Sequence, residues 1–333
     1  MVETTAQVLR RRHRTGQSTK EDGCRVALIS EGGAMRGVFA GGMVSGIEAE
    51  GFTRCFDLMV GASAGAGALA YLRAGQARYG TRMFYEDLNT GEFIRPRRML
   101  TGGPALAIDY LVDHVFADAK RLDFEALKAP GAELHITGTD IDRVETVDLT
   151  GFDDSKRTLE ILRATTRMPM VSEAPVALDG RRFLDGALLS PLPLELAIRH
   201  GATHVLALLT RQPYSKHIHQ ASFSERQLAH RFISLRYGKH FAQQIAAKRF
   251  EYGELFKALT TSDEAVVSGA RVQAVAPAMS APQVHRTTQD SALLREGAAH
   301  GHARMYEYLW AGETGGMANP NSADCATQSD AIA

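Results

Sequence analysis

The sequence predicts an α/β protein: a three-layer α/β/α sandwich around a mainly parallel central sheet, with a helical C-terminal extension. Three observations carry this. Short apolar runs alternate with helical segments from Cys24 onward. The first two runs are separated by a glycine-rich loop and a helix, the kind of crossover that parallel strands require. A further apolar run at residues 204–209 again follows a helix.

Residues 1–23 are polar and basic without sustained periodicity and read as a flexible tail. Its cluster Arg10-Arg11-Arg12-His13-Arg14 is either solvated or a contact for anionic lipid. Order is expected from Cys24, where residues 24–30 are aliphatic, β-branched and too short for a helix. The loop Glu31-Gly32-Gly33-Ala34-Met35-Arg36-Gly37 leads into a helix over 38–50. There Phe39, Met43 and Ile47 recur every four residues, and Gly51 is a natural stop. Residues 56–60 form a second strand running into Gly61-Ala62-Ser63-Ala64-Gly65, and the small residues 66–70 suit a closely packed helix. Residues 79–111 mix aromatics, arginines and Gly102-Gly103-Pro104, which predicts irregular helical cap structure.

Residues 133–139 and 145–149 read as strands joined through Asp140 and Asp142, and a helix over 156–167 is ended by Met168-Pro169. Asp179-Gly180, between apolar runs, predicts a two-residue hairpin turn whose second strand delivers Asp185-Gly186-Ala187. Pro191 and Pro193 open a helix that reaches His200. Residues 223–257 are helical, with seven Lys/Arg against three Glu and with Phe232, Leu235, Phe241, Ile245 and Phe250 interspersed. A core-packed helix pair with a basic outer face fits this pattern, and so does a lipid-facing cap. A strand at 271–276 and a helix over 289–310 complete a single domain spanning 24–312, with a core at 24–209 and an extension at 210–312. Residues 313–333 read as a flexible tail.

At 333 residues, with 44% hydrophobic and 23% charged residues, the chain buries a full core. Lys+Arg and Asp+Glu are equal at 38 each, so no global field favours nucleic acid or an anionic membrane. Cys24, Cys55 and Cys325 are too few and too scattered for a disulfide framework or a Cys-based zinc site, and point to a reducing, cytoplasmic setting. The N-terminal region has no apolar signal core, and residues 58–72 are too short and too rich in Gly and Ala to span a bilayer.

The chemistry centres on Ser63. A Gly-x-Ser-x-Gly turn between strand and helix holds its serine in a tight, exposed backbone position, which makes Ser63 the candidate nucleophile, flanked by Gly61 and Gly65. The loop around Gly32, Gly33, Ala34, Arg36 and Gly37 sits at a helix N-terminus. Its unpaired N–H groups can face a developing oxyanion if its strand neighbours that of Ser63. A dinucleotide site is disfavoured because Ala34 stands where the second glycine belongs and Asp57 precedes its strand. A P-loop fails because no Gly-Lys-Ser/Thr follows. Asp185 is the candidate base, with a helix-capping aspartate as the alternative. Asp140 and Asp142 read as turn residues in preference to metal ligands. His200 and His204 are the candidates for a histidine base.

Taken in order, Glu31-Gly32-Gly33-Ala34-Met35-Arg36-Gly37, Gly61-Ala62-Ser63-Ala64-Gly65 and Asp185-Gly186-Ala187 resemble the patatin-like phospholipase family, over about residues 24–209. The resemblance implies a sandwich of patatin type and a lipid acyl ester hydrolase needing no metal or cofactor. It implies a Ser63–Asp185 dyad without histidine, with Gly186 and Ala187 completing the acid motif. Gly32, Gly33 and Ala34 would hold the oxyanion, and Arg36 would brace the loop or the substrate's anionic part. The implied substrate is a phospholipid or another fatty acyl ester, the implied location cytoplasmic with peripheral membrane contact, and no nucleic acid is involved. Family members often carry a third glycine at the position of Ala34, so the hole is unstrained only if Ala34 keeps a negative φ. A Ser-His-Asp esterase, a non-catalytic lipid- or partner-binding protein and an acyl transferase stay open as alternatives.

Overall fold

The computed structural model describes residues 3–16, 22–213 and 223–311. The apolar run after Cys24 is β1 (Val26–Ser30), buried at every position. β2 (Leu58–Gly61), β3 (Glu133–Asp140), β4 (Glu145–Leu149), β5 (Val176–Leu178), β6 (Arg181–Asp185), β7 (His204–Leu208), β8 (Ala265–Val267) and β9 (Ala270–Val275) complete one sheet among the described residues. Its order is β5-β6-β3-β2-β1-β7-β9-β8, with β4 paired to β3. β3, β2, β1, β7 and β9 run parallel and form the centre. The Asp179-Gly180 turn has positive φ at both residues, as a tight hairpin turn needs, and pairs β5 with β6. β8 was not legible beforehand; it returns through Ser268 and Gly269, both at positive φ, to pair antiparallel with β9.

The register around β3 decides where the chain's ends of strands meet. Ile136 faces Gly61 of β2 and also Leu149 of β4, so β2 and β4 occupy opposite edges of β3. Gly138 faces Val147 of β4 and also Asp185 of β6, so β6 lies on the edge that β2 has just left. β2 and β6 therefore approach head to head along one edge, and the last residue of β6 faces a position only two residues beyond the end of β2. That spacing is roughly 7 Å of strand.

Helices cover both faces of the sheet. They are α1 (Thr5–Thr15), α2 (Gly37–Ala49), α3 (Ala64–Arg73), α4 (Ser155–Thr166), α5 (Leu194–Arg199), α6 (Phe223–Tyr237), α7 (Lys239–Thr261) and α8 (Ser291–Trp310), besides a π-helical stretch (Leu111–Ala119) and short helical turns. On one face Val26, Leu28 and Met59 pack with Met43 and Ile47 of α2, Leu69 of α3, Leu162 of α4 and Leu294 and Met305 of α8. On the other, Ala27, Ile29 and Val60 pack with Leu194 and Ala197 of α5 and Phe256 and Leu259 of α7. Strands covered on both faces explain the near-continuous apolar runs in the sequence. The segment 79–111 is broken helical structure, with a single bridge between Ile94 and Leu106 among the described residues. No helix among the described residues is long and apolar enough to cross a membrane. Residues 313–333, read above as a tail, lie outside the described residues.

The N-terminal segment departs from its reading as a flexible tail. α1 opens with a capping box between Thr4 and Gln7, and its Val8 and Leu9 are fully buried. Arg12 is 1% exposed and donates to Asp22 at 2.7 Å and Asp57 at 2.9 Å, and to the carbonyls of Cys24 and Cys55. Burial works against its charge, but the two carboxylates hold its pKa above the ordinary value. Burial also opposes the charge on Asp22, yet hydrogen bonds from Arg12 and the Cys24 N–H bring it down to about 2. Arg11 pairs with Glu3 and Asp22, and His13 stacks on Phe52 at 4.1 Å. A helix that buries Thr5, Ala6, Val8, Leu9 and the cation of Arg12 among further basic residues reads by composition as a solvated tail. Asp57 is committed to Arg12 and to the Val26 N–H at 2.6 Å, which removes it from any ribose-binding role. Arg12→Ala should cost about 3–5 kcal/mol in urea unfolding, because it strands two buried carboxylates. A loss within about 0.5 kcal/mol, typical of a surface site, would return residues 5–15 to the status of a tail.

Candidate active site

Ser63 stands between β2 and α3 with φ 54° and ψ −129°, a backbone conformation that L-residues rarely adopt. The tight packing that imposes it is visible at Gly65, where a β-carbon would fall 2.6 Å from the Glu31 carbonyl oxygen. The Ser63 N–H donates to Thr165 Oγ1 of α4 at 2.9 Å, and its hydroxyl donates to Asp185 Oδ2 at 2.8 Å. Both residues are buried, Ser63 at 8% and Asp185 at 1% exposure.

Asp185 is fixed from every side. Its N–H donates to the Arg167 carbonyl and its carbonyl accepts from Thr139 Oγ1. Oδ1 accepts from the Ala187 N–H at 2.8 Å, which leaves Oδ2 for Ser63. Gly186 follows because a β-carbon there would lie 2.1 Å from the Thr137 carbonyl oxygen of the adjoining strand. Burial pushes the Asp185 carboxyl up to about 6, with partial relief from the Ser63 and Ala187 hydrogen bonds and the charge of Arg286. The group is therefore a carboxylate at neutral pH and a stronger base than an exposed aspartate.

The glycine-rich loop lies against this pair, since β1 is the parallel neighbour of β2. A β-carbon on Gly32 would fall 2.7 Å from Ser63 Cβ and 3.4 Å from Ala187 Cβ. The Met35 N–H donates to the Arg286 carbonyl and the Arg36 N–H to that of Gly33, while the N–H groups of Gly32, Gly33 and Ala34 form no hydrogen bond among the described residues. Ala34 adopts φ 50°, so the condition for an unstrained alanine is not met and the loop carries local strain. Glu31 anchors it: its buried carboxylate accepts from the Thr210 N–H at 2.7 Å, from the Thr210 hydroxyl and from the Tyr252 hydroxyl of α7. Gly37 begins α2.

Two cations that the sequence does not mark, Arg211 and Arg286, join Arg36 at this loop. Arg36 is pushed down to about 10 by burial first and then by repulsion from Arg211 and Arg286. Its Nε and Nη2 are buried without hydrogen-bond partners, as is Arg211 Nε, and the Arg211 guanidinium lies 5.0 Å from the Tyr252 ring centre. Arg286 is also pushed down, by the protein around its guanidinium and by Arg211 and Arg249, although part of its surface stays in water. Arg211 and Arg286 come from loops far apart in the chain, so no local pattern marks them.

The histidine candidates lie elsewhere. His200 Nε2 contacts Asp148 Oδ2 at 2.9 Å, and His204 is held by the Thr203 hydroxyl and the Glu3 carbonyl. Neither reaches Ser63 or Asp185. Asp140 caps the β3–β4 turn and pairs with Arg181, and Asp142 pairs with Arg182, as turn residues do.

A strained serine after a parallel strand, a buried carboxylate bonded to its hydroxyl and a glycine-rich helix entrance thus stand together, and here the comparison with known proteins is specific. The family model for the patatin-like phospholipases matches residues 28–198, and the chain belongs to that family. Among curated proteins it is similar to the uncharacterized protein YjjU of Escherichia coli K12, with 29% identity over 191 residues, 56% of this chain and 52% of that one. The chain thus spans about half the length of that relative. Among solved structures it is similar to VipD from Legionella pneumophila, with 11% identity, a TM-score of 0.44, and coverage of 86% of this chain and 66% of that one. It is also similar to human GIVD cytosolic phospholipase A2, with 12% identity, a TM-score of 0.43, and coverage of 92% and 62%.

Two outcomes are expected of this geometry. If Asp185 acts as the base, kcat/KM for an acyl ester rises with pH through about 6 and levels above it, because only the carboxylate form accepts a proton. An acid limb near 4 would mean that the base is solvated. Ala34→Gly should leave turnover in place and raise stability by about 0.5–1 kcal/mol in urea unfolding, since glycine accepts the left-handed conformation. A loss of stability would mean that the methyl group contributes packing that outweighs the strain.

Proposed function

We propose that the chain is a serine acyl hydrolase of lipid esters, working through Ser63 and Asp185 without a histidine. The observation that carries the proposal is the buried 2.8 Å hydrogen bond from Ser63 Oγ to Asp185 Oδ2, beside a loop with three uncommitted backbone N–H groups. As Ser63 Oγ attacks the ester carbonyl carbon, its proton passes to Asp185 Oδ2. The carbonyl oxygen takes up negative charge facing the N–H groups of Gly32, Gly33 and Ala34, and the N-terminus of α3 adds its dipole. Collapse of the adduct expels the alcohol, which recovers the proton from Asp185. Water then attacks the acyl-Ser63 ester with Asp185 again as base, and the fatty acid leaves.

Family membership supports lipid esters as the substrate class. Arg36, Arg211 and Arg286, crowded beside the loop near the carboxylates of Glu31 and Asp185, favour an ester with an anionic group such as a phospholipid phosphate. Leu228, Phe232, Leu235 and Phe250 are exposed on α6 and α7 among exposed Arg231, Arg236 and Lys239, while Phe241 and Ile245 point into the core. That surface suits peripheral contact with a bilayer.

Ser63→Ala and Asp185→Ala are each expected to lower hydrolysis of phospholipid vesicles and of a neutral acyl ester by more than about a thousandfold, with thermal unfolding within a few degrees of the parent. The phospholipid should be the faster substrate of the parent protein. Turnover near the parent level in either variant would refute the dyad. A folded parent protein that hydrolyses neither ester would instead favour a lipid-binding or partner-binding role for the fold.

A further inference from the structure

Two of the histidines left without a catalytic role meet on the α5 face of the sheet. Glu133 and His135 are alternate residues of β3, so their side chains leave the same face. That face is set by the pairing of His135 with Val60, which packs toward α5 and α7. Asp148 of β4 lies opposite Thr137, two residues further on, and therefore on the same face again. His200, the residue that ends α5, comes down onto this group from the helical layer.

The four side chains converge tightly. His135 Nδ1 and His200 Nε2 both lie 2.9 Å from a single oxygen, Asp148 Oδ2. The two imidazoles meet at a tilt of 35°, with ring centres 3.9 Å apart. One ligand atom each from Glu133, His135 and His200 lies within 4.8 Å of the other two. The second oxygen of Asp148, Oδ1, is buried and has no hydrogen-bond partner. His135 is nearly enclosed at 9% side-chain exposure, while Asp148 at 23%, His200 at 32% and Glu133 at 53% leave one side open.

We propose that Glu133, His135 and His200 form a binding site for one divalent transition ion of the zinc type, with Asp148 orienting both imidazoles from behind. Two imidazole nitrogens with a carboxylate oxygen are the donor set that zinc, cobalt and nickel prefer, whereas magnesium and calcium need more oxygens. A tetrahedral ion with bonds of about 2.0–2.1 Å separates its ligands by roughly 3.4 Å, inside the 4.8 Å that bounds these three ligand atoms, and water would complete the fourth position. Glu133 also accepts from Arg25 at 2.7 Å, which ties it back and makes it the weakest of the three ligands. The bound ion would clamp β3 to the end of α5. The site lies on a sheet face rather than at the strand ends that carry Ser63, so its role is separate from ester hydrolysis, and its test does not use activity.

Tag-free full-length protein, stripped with a chelator and dialysed against zinc, should bind one equivalent by elemental analysis. Cobalt in its place should give the visible absorption of a tetrahedral site. Zinc should raise the thermal midpoint of the parent. His200→Ala removes a ligand at a partly exposed helix end, and Asp148→Asn keeps the shape of the side chain it replaces. Each should weaken zinc binding by more than about tenfold and abolish the thermal shift, while Ser63→Ala binds like the parent. Sub-stoichiometric zinc on the parent, or unchanged binding in Asp148→Asn, would overturn the proposal. Should His200→Ala fail to fold, Asp148→Asn decides alone.

Discussion

The hydrogen bond between Ser63 and Asp185 is the contact on which the rest of the candidate site depends, and it exists because two strands share one edge of β3. β2 leaves that edge after Gly61, and β6 arrives on it from the opposite direction, ending at Asp185. A hydroxyl and a carboxylate 122 positions apart in the chain thereby become neighbours. Neither residue needs a long flexible arm. Ser63 is carried on a strained turn and Asp185 on the last residue of a strand, so both are placed by backbone hydrogen bonds more than by rotamer choice.

The same arrangement keeps water out. A nine-tenths buried serine and a fully enclosed aspartate meet in a medium where the carboxylate is poorly solvated, which raises its basicity toward neutrality. N–H groups of the loop that are free among the described residues stand on one side, and Arg36 and Arg286, both held below their ordinary pKa, stand behind them. Strain at Ser63 and Ala34, and like charges at Arg36, Arg211 and Arg286, are local costs that the packed sheet around them offsets. Sites built this way trade stability for reactivity.

Much of this was legible because it is local. The strand–loop–helix entrance, the Gly-x-Ser-x-Gly turn and the Asp179-Gly180 hairpin each announce themselves within ten residues, and their order along the chain is what resembles the family. What stayed hidden is non-local. α1 buries Thr5, Ala6, Val8, Leu9 and Arg12, and the partners of that arginine, Asp22 and Asp57, lie beyond the helix, so its composition looked like a solvated tail. Arg211 and Arg286 reach the loop from segments with no motif of their own. The cluster of His135, Asp148 and His200 draws on two strands and a helix end, and two of its members become neighbours only through the register of β3 with β4. Spacing rules for metal or triad histidines cannot see such a group. The sign of φ at Ala34 was likewise undecidable, since alanine tolerates either basin at a cost.

The most direct test of the account is the second-order rate at which a fluorophosphonate modifies Ser63, followed by peptide mapping in the parent protein and in the Asp185→Asn, His200→Ala and His204→Ala variants. The account predicts labelling confined to Ser63, a fall of more than about a hundredfold in Asp185→Asn, and parent-like rates in both histidine variants. Parent-like labelling in Asp185→Asn, or a collapse in either histidine variant, would contradict direct proton transfer from Ser63 to Asp185.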